Sequence, residues 1–408
     1  MSKVIKCGKL FCAVDESVQE NVVIIIEGNK ITEVKSADGF VPDAGDQIID
    51  LSDKFILPGL IDTHVHIGFG GKPSLVEVDE LPEIVAIKGI KNAQMDLFAG
   101  FTTVRDEGYP TITGCNMIRD AINDGIFPGT RIFTSGMYIT QTGGHLEFRY
   151  PGETLGYNTF KAGNVANSPD EVRAAARLML KYGANQLKVM VTGGVLSPAG
   201  NEPGEQNMSV EEIKAAVDVA KMHGKIVSAH AHGTAGINAA AIAGVSVIEH
   251  CTLVDEETIQ IMAEKGIAAV PTFIVLKVIS EKGVEAGIPD FAVKKATALV
   301  GSHLSNIKKA YDAGVRIVFG TDCGTPLTPH GTQSGEFKLM VQAGISHTDT
   351  LLSATRYAAE LLQWDNEIGT IAPGKFADIV AVDKNPLEDI STLENVSFVM
   401  KDGNVYKC

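Results

Sequence analysis

Histidines, a lysine and an aspartate recur along this sequence, each near the carboxyl end of a short apolar segment. His64 and His66 are one residue apart in the stretch IDTHVHIG, so on a strand both side chains would point to the same face. The remaining members of this set are Lys188, His230, His232, His250 and Asp322. Imidazole nitrogens and carboxylate oxygens are common ligands of zinc, and manganese, iron and cobalt accept the same ligands. The residue types therefore predict a metal site, provided that the fold brings these segments together.

The elements that carry these residues follow a regular pattern, in which apolar strands alternate with amphipathic helices. Eight candidate strands can be counted, at residues 55–67, 101–108, 131–140, 186–193, 225–233, 245–251, 267–273 and 315–323. This pattern is typical of parallel βα units, and eight such units indicate a TIM-type (β/α)8 barrel. Active sites of these barrels lie at the carboxyl ends of the strands, which is where the candidate ligands occur.

The two ends of the chain have a different pattern, that of β-hairpins. Residues 20–35, ENVVIIIEGNKITEVK, have the pattern of two strands around a turn, and the stretches ADIVAVDKNP and VSFVMKDGNVYK have the same character. We therefore predict an α/β protein in which residues 1–56 and 369–408 form a small β-sandwich domain. Residues 57–368 would form the barrel.

The composition limits the class of partner. With 408 residues and a formal net charge of −15, the chain is poorly suited to binding nucleic acid or an anionic membrane surface. No apolar run reaches the ~18 residues of a membrane span, and the amino-terminal stretch lacks the apolar core of a signal peptide. We expect a cytoplasmic protein whose partners are small molecules or peptides, without nucleic-acid or membrane partners.

Each candidate ligand also has an ordinary structural explanation. A lone strand-end histidine is more often a satisfied core residue, Lys188 could belong to an ion pair, and Asp322 could cap a helix. Glu249 could be a solvated loop charge, and Asp62 would lie deeper on the face of His64, where it would give structural support. Several imidazoles, an amine and a carboxylate at one barrel end would nevertheless be costly to bury without compensation. A divalent metal ion is the natural compensating group.

Together, these residues and motifs resemble the amidohydrolase superfamily, in its binuclear branch with a carboxylated lysine. The similarity covers essentially the whole chain and includes LPGLIDTHVH, FTTVRD, IEH, GTD and IGTIAPGKFADIVAVD. The resemblance implies two divalent metal ions, with zinc as the first choice. A homo-oligomer is expected from the resemblance alone.

The resemblance also implies a set of ligands. The residues divide between two ions, with His64, His66 and Asp322 on one, His230 and His250 on the other, and Lys188 between them. A free ammonium would repel the cations, so Lys188 would bridge them as a carbamate derived from CO2. The alternative is a one-metal site with Lys188 in a structural ion pair. The fifth strand offers both His230 and His232 where one ligand is needed; we favour His230 as the ligand and His232 as a substrate contact, although the roles could be reversed.

The mechanism implied by the resemblance is hydrolysis at a carbonyl group by a water that the two metals share. Asp322 would take the proton of this water and return it to the leaving amine. His145, in the stretch QTGGH, resembles a motif of the peptidase-like members and would stabilise the developing oxyanion. Its alternative role is that of a loop residue bonded to its own backbone.

The loops suggest a substrate. The TGGV stretch after the fourth strand and AHAHG on the fifth are similar to the dipeptidase and carboxypeptidase group, and NEPGEQ looks closest to members that remove C-terminal arginine or lysine. Glu202 or Glu205 could bind such a cationic side chain. His232, Arg149 and backbone N–H groups could bind the substrate α-carboxylate. The first hypothesis is a carboxypeptidase or dipeptidase that releases C-terminal Arg or Lys from dipeptides or short peptides.

Two alternatives remain within the same chemistry, and one comes from another class. An apolar pocket without a carboxylate would favour an Xaa-Pro dipeptidase. A closed mouth would favour a hydrolase of cyclic amides, similar to imidazolonepropionase. A non-catalytic metal-binding scaffold would keep the fold but lack a ligand such as Asp322, whereas this ligand set is complete.

Overall fold

The computed structural model describes residues 2–71, 81–147, 164–197 and 201–408. Arg149, one of the predicted substrate contacts, lies outside the described residues. Within them the chain forms a barrel of parallel strands surrounded by helices, together with a sheet built from both ends of the sequence. The predicted fold class, a TIM-type barrel with a small β domain from both termini, is confirmed.

The sheet built from both ends, here called the terminal sheet, has seven strands in the order β14-β13-β12-β4-β1-β2-β3. The strands are β1 Lys3–Phe11, β2 Val18–Glu27, β3 Lys30–Ser36, β4 Gln47–Pro58, β12 Ile379–Val382, β13 Phe398–Lys401 and β14 Asn404–Lys407. Strand β4 lies in the middle, parallel to β1 and antiparallel to β12. Buried aliphatic residues such as Ile5, Ile24, Ile56 and Ile379 form the hydrophobic core on one face of this sheet.

The barrel consists of two arcs of parallel strands. The strands are β5 Leu60–Val65, β6 Phe101–Asp106, β7 Arg131–Thr134, β8 Leu187–Met190, β9 Val227–Ala231, β10 Val247–His250 and β11 Ala268–Val270. Strands β5 to β7 form one arc and β8 to β11 form the other. A bridge between Ile139 and Val189 joins the arcs on one side.

The eighth predicted strand, residues 315–323, closes the barrel on the other side without forming a regular ladder. Bridges pair Ile317 with Ala269 and Cys323 with Val65, which places the segment between β11 and β5. Asp322 has a φ of 59°, a left-handed conformation that interrupts extended backbone at the end of the segment. The prediction of eight barrel segments is therefore correct, but the last is held by isolated bridges.

Helices cover the outside of the barrel. They are α1 Pro82–Phe98, α2 Gly114–Asn123, α3 Pro169–Lys181, α4 Val210–Met222, α5 Thr234–Ala243, α6 Glu256–Lys265, α7 Phe273–Lys282, α8 Asp290–Asp312, α9 Gly335–Gln342, α10 His347–Ser353 and α11 Arg356–Leu361. Local sequence explains many of their ends. Ser209 and Glu212 form a reciprocal capping box at the start of α4, and Gly266 ends α6 in the left-handed conformation. Among the described residues, no helix combines the length and apolar character that crossing a bilayer requires.

Asp62 fastens the first barrel strand to the closing segment. Its carboxylate accepts hydrogen bonds from the Thr321 hydroxyl at 2.6 Å and from the His64 backbone N–H at 3.0 Å. The side chain is fully buried and binds protein groups on two segments of the barrel. The hydrogen bonds agree with the structural role that the sequence predicts for Asp62, and they fix the backbone next to His64.

Candidate metal centre

The predicted ligands meet at the carboxyl ends of the barrel strands. His64 lies near the end of β5, His230 lies on β9, and His250 is the last residue of β10. The ring centroids of His64 and His250 are 5.1 Å apart, and those of His230 and His250 are 4.7 Å apart. Asp322 arrives from the closing segment, with Oδ1 lying 3.2 Å from Nε2 of His66. All these side chains are buried or nearly so.

The unpaired atoms at this centre fit a divalent cation. Asp322 Oδ1 has no hydrogen-bond partner in the described part of the chain, although the Nε2 atoms of His64 and His66 lie 3.5 and 3.2 Å away. Lys188 Nζ also lacks an aligned hydrogen bond, while lying 2.8 Å from Glu107 Oε2 as an ion pair. Buried polar atoms that converge without bonding to one another are costly unless another group satisfies them. A metal ion would do so.

The ligand atoms form two overlapping groups, in each of which all atoms lie within 4.8 Å of one another. One group is His64, His250 and Asp322. The other is His230, His232 and His250. The residues could therefore hold metal ions at two neighbouring positions. The second group contains His230 of β9 and His232 just after it, so the choice between the two as ligand stays open.

Hydrogen bonds behind the rings orient the coordinating nitrogens. Nδ1 of His64 lies 2.7 Å from Glu249 Oε2, and Nδ1 of His66 donates to the Gly108 carbonyl at 2.9 Å. Nδ1 of His250 lies 2.7 Å from the Thr272 hydroxyl. Each Nε2 is thereby left to face the centre, as is typical of metal-binding histidines.

His230 on β9 and His232 just after it differ in their orientation. Nδ1 of His232 lies 2.8 Å from the Thr252 hydroxyl, which leaves Nε2 for a ligand. Nε2 of His230 lies 3.3 Å from the Gly193 carbonyl, which leaves Nδ1. Either ring can therefore offer one nitrogen to a metal.

A layer of charged residues beneath the centre was missed by sequence reasoning. Arg105 contacts Glu249 at 2.7 Å and Glu107 at 3.1 Å, and the Ser228 hydroxyl lies within hydrogen-bond distance of both carboxylates, at 2.6 Å from Glu107 and 2.8 Å from Glu249. Gln186 donates to Glu107 at 2.5 Å. Glu249, which could have been a solvated loop charge, is fully buried. The available signal was the two-residue spacing from Gln186 to the predicted ligand Lys188 and from Ser228 to His230, which places all four on the inner face of the barrel.

Burial controls the protonation of the histidines. It lowers the pKa of His232 to about 3 and holds the pKa values of His230 and His250 well below the usual range. These rings are therefore neutral, the form that binds metals. Burial opposes ionisation of Asp322, but the neighbouring His64 and His66 rings outweigh it and hold the pKa of this carboxyl below its usual range.

His145 lies beside the metal ligands. Its ring stacks on that of His230, with centroids 4.2 Å apart and planes inclined by 25°. Nδ1 lies 2.6 Å from the Ser197 hydroxyl, so the ring bonds to a side chain of another loop and not to its own backbone. Burial lowers the pKa of His145 to about 3, which makes its imidazole neutral.

A cavity of about 60 Å³ opens at this centre. Its polar lining includes the predicted ligands, His145 and His232. The apolar part of its lining includes Leu146, Val195, Leu196, Val275, Leu276 and Ile279. Several of these side chains belong to one hydrophobic cluster that links the loop after β8 to helices α7 and α8.

The acidic pocket predicted from Glu202 and Glu205 stays a prediction, although neither side chain is buried. Glu202 has a half-exposed side chain and lies 3.5 Å from Lys295 Nζ, and the exposed Glu205 accepts a hydrogen bond from the Glu202 backbone. Neither glutamate is among the described residues that line the cavity. The Gly193 N–H donates to the Glu205 carbonyl at 3.0 Å, so the loop turns back and leaves both side chains on its outer side.

Fold and site together define a class of protein, the barrel hydrolases whose histidine, lysine and aspartate ligands lie at strand ends. The chain belongs to the amidohydrolase family, whose family model matches residues 55–406. The superfamily resemblance seen in the sequence is thus confirmed.

Three proteins similar to this chain illustrate the activities found among its relatives. The chain is 36% identical to an ochratoxinase of Aspergillus niger over 375 residues, which are 86% of this chain and 75% of that protein. A crystal structure of an Xaa-Pro dipeptidase with bound methionine is 38% identical, with a TM-score of 0.91 and full coverage of both chains. A prolidase complexed with N-methylphosphonate-L-proline is 33% identical, with a TM-score of 0.90 and full coverage of both chains.

Proposed function

We propose that this protein is a metal-dependent peptidase that hydrolyses the last peptide bond of dipeptides or related small amides with an apolar leaving residue. Proline is the first candidate for that residue. The observation that carries the proposal is the apolar wall of the cavity, formed in part by Val275, Leu276 and Ile279. An apolar residue gains free energy by leaving water for such a wall, whereas a cationic one would need a carboxylate.

Two comparisons support this choice. The similar Xaa-Pro dipeptidase and prolidase structures match the whole chain. The Arg or Lys specificity depended on Glu202 and Glu205, which lie on the outer side of their loop. We therefore prefer Xaa-Pro specificity to Arg or Lys specificity. Hydrolysis of a series of dipeptides distinguishes the two.

We propose a binuclear centre with zinc as the first choice of metal. Bound to these ligands, two zinc ions would supply a Lewis acid and an activated water. Lys188 would join the ligand set as a carbamate formed with CO2, because an ammonium would repel cations. Its ion pair with Glu107 is the arrangement that a one-metal site would retain. Metal analysis with and without bicarbonate distinguishes the binuclear site from the one-metal site, since only the binuclear site would depend on CO2.

The protein's own residues would carry the proton and the developing charge. Asp322 is ionised at neutral pH because its pKa is low, so it can accept the proton of the nucleophile and return it to the leaving nitrogen. His145 is neutral and lines the cavity, where it can donate a hydrogen bond to the carbonyl oxygen as negative charge develops. His232 remains the candidate contact for the substrate carboxylate if His230 is the ligand.

The decisive experiment is hydrolysis of Xaa-Pro, Xaa-Met, Xaa-Leu, Xaa-Arg and Xaa-Lys dipeptides by protein loaded with zinc in bicarbonate. We expect turnover of the apolar leaving residues, with proline preferred, and loss of all turnover in Asp322→Asn. Turnover confined to Arg and Lys would overturn the apolar specificity but keep the chemistry. Two bound metals without turnover of any dipeptide would favour cyclic amides, and a failure to bind metal would reject the hydrolase mechanism.

A further inference from the structure

The contact between Ser197 and His145 determines where the imidazole proton lies. Oγ of Ser197 is 2.6 Å from Nδ1 of His145, and this is the one hydrogen bond that the described residues give to this hydroxyl. Ser197 is 3% exposed and His145 is 7% exposed, so water has little access to either group. A neutral imidazole carries one N–H, which is on Nδ1 or on Nε2 but not on both.

The ring of His145 is also closely packed by two neighbouring groups. The ring of His230 stacks on one face at 4.2 Å. A Cβ added at Gly194 would lie 2.2 Å from Cε1 of His145, so a residue with a side chain could not occupy this position without displacing the ring. With His230 stacked on the ring and Ser197 at the Nδ1 edge, the edge with Nε2 remains for the cavity that His145 lines.

We propose that Ser197 is a positioning residue, which donates its hydroxyl hydrogen to Nδ1 of His145 and so fixes the tautomer that carries its proton on Nε2. The opposite tautomer would donate from Nδ1 to Ser197 and leave a buried hydroxyl hydrogen without an acceptor among the described residues. With the proton on Nε2, His145 presents a hydrogen-bond donor to the cavity. The inference rests on the proposed function, which supplies the carbonyl oxygen that this donor would bind.

A buried lysine holds Ser197 in place. Lys295, 7% exposed on α8, donates from Nζ to the carbonyl oxygens of Ser197 and Asn201, each at 3.0 Å. The side-chain amide of Asn201 donates in turn to the Gly143 carbonyl at 2.9 Å, two residues before His145. The loop after β8 is thus tied both to α8 and to the loop that carries His145. Ser197 is therefore placed by the fold and not by its local sequence.

The test is to observe the tautomer directly. We would label the full-length, zinc-loaded protein with ¹⁵N-histidine and record two-bond ¹⁵N–¹H correlations, using His145→Asn to assign the signals of His145. We expect Nε2 of His145 to be protonated and Nδ1 to be unprotonated. Ser197→Ala should give a mixture of the two tautomers, and Ser197→Thr, which keeps the hydroxyl, should restore the original spectrum.

Kinetics on the best dipeptide give the second measurement. Ser197→Ala should lower kcat roughly tenfold and change KM less than about twofold, because a donor to the developing oxyanion acts in the transition state. Ser353→Ala is the matched control: its hydroxyl is buried and donates to the Thr350 carbonyl at 2.7 Å, away from the cavity. This control should change neither the spectrum nor kcat.

Two results would overturn the inference. The first is a proton on Nδ1 of His145 in the unchanged protein. The second is a Ser197→Ala spectrum identical to the original, which would make the serine merely structural. Absence of dipeptide hydrolysis by the unchanged protein would instead reject the proposed function, and the spectrum of the same sample would still decide the tautomer.

Discussion

The carboxyl ends of the barrel strands and the loop after β8 both line the cavity, but different contacts hold them in place. At the barrel end, His64 and His250 each have a buried hydrogen-bond partner within the barrel, Glu249 on β10 and Thr272 just after β11. In the loop, Ser197 is held by the side chain of Lys295, which comes from a helix outside the barrel. Strand alternation thus directs the candidate ligands into the barrel, whereas contacts with a surrounding helix fix a residue of the proposed substrate site.

The largest effect should come from the carboxylate that both metal binding and proton transfer would use. Asp322→Asn should lower kcat by about 10³-fold or more, since general acid–base catalysis contributes ~10²–10⁴ and the change also weakens a ligand. The measurement is kcat together with metal content by elemental analysis. Activity within tenfold of the original, with metal bound, would exclude Asp322 as the proton carrier.

The buried charge layer should contribute to stability more than the loop charges do. Glu107→Gln breaks the ion pairs with Lys188 and Arg105 and should lower the free energy of unfolding by about 3 kcal/mol. Glu202→Gln makes the same change at a half-exposed side chain and should cost no more than about 0.5 kcal/mol. Urea denaturation of the metal-free proteins measures both. Equal losses of unfolding free energy would show that the buried charges and the loop charges contribute equally to stability.

The histidine-rich end of the barrel should make the metal-free protein sensitive to acid. Burial lowers the pKa of His303, whose Nε2 contacts the His250 carbonyl, from 6.5 to about 4. Between these pH values the unfolded chain binds more protons than the folded one, so stability falls as pH falls from 6.5 towards 4. His303→Gln can keep a donor but cannot titrate, and should reduce this fall by about 1–3 kcal/mol. Unfolding curves at pH 7 and at about pH 4.5 test this, and identical pH dependence in both proteins would contradict it.

The apolar wall of the cavity should determine which leaving residue of the substrate is preferred. Val275→Ala removes two methyl groups from the cavity lining and should lower kcat/KM for Xaa-Pro about tenfold. Val293→Ala is the matched control, because Val293 belongs to the same buried cluster but does not line the cavity. Equal kinetic losses in the two variants would indicate a general packing defect and not a substrate contact.

The smallest effect is expected at Glu202. Glu202→Gln should change the ratio of Xaa-Arg to Xaa-Pro turnover by less than about twofold, since this carboxylate lies at Lys295 and not at the cavity. Steady-state kinetics on the two dipeptides measure the ratio. A selective loss of Xaa-Arg turnover would restore the hypothesis of an acidic pocket.

The sequence predicts the barrel and the convergence of the candidate ligands at the strand ends, because both depend on local periodicity. The two-residue spacing of His64 and His66 places them on one face whatever the rest of the chain does. Glu249 and Glu107 were harder to recognise, because a charged residue is usually solvated and only tertiary contacts with Arg105 compensate their burial. The position of Glu202 was not predictable, since it depends on how a loop folds back against the barrel.

The central position of β4 in the terminal sheet has a consequence for the order of folding. Pro58 ends β4 and Leu60 begins β5, so a single residue, Gly59, separates the middle of the terminal sheet from the strand that carries His64. One edge of β4 pairs with β1, which is synthesised before the barrel, and the other pairs with β12, which is synthesised after it. The sheet next to the first metal strand therefore cannot be completed until β12 has left the ribosome. Loading of metal during translation would meet a barrel whose first strand adjoins an incomplete sheet.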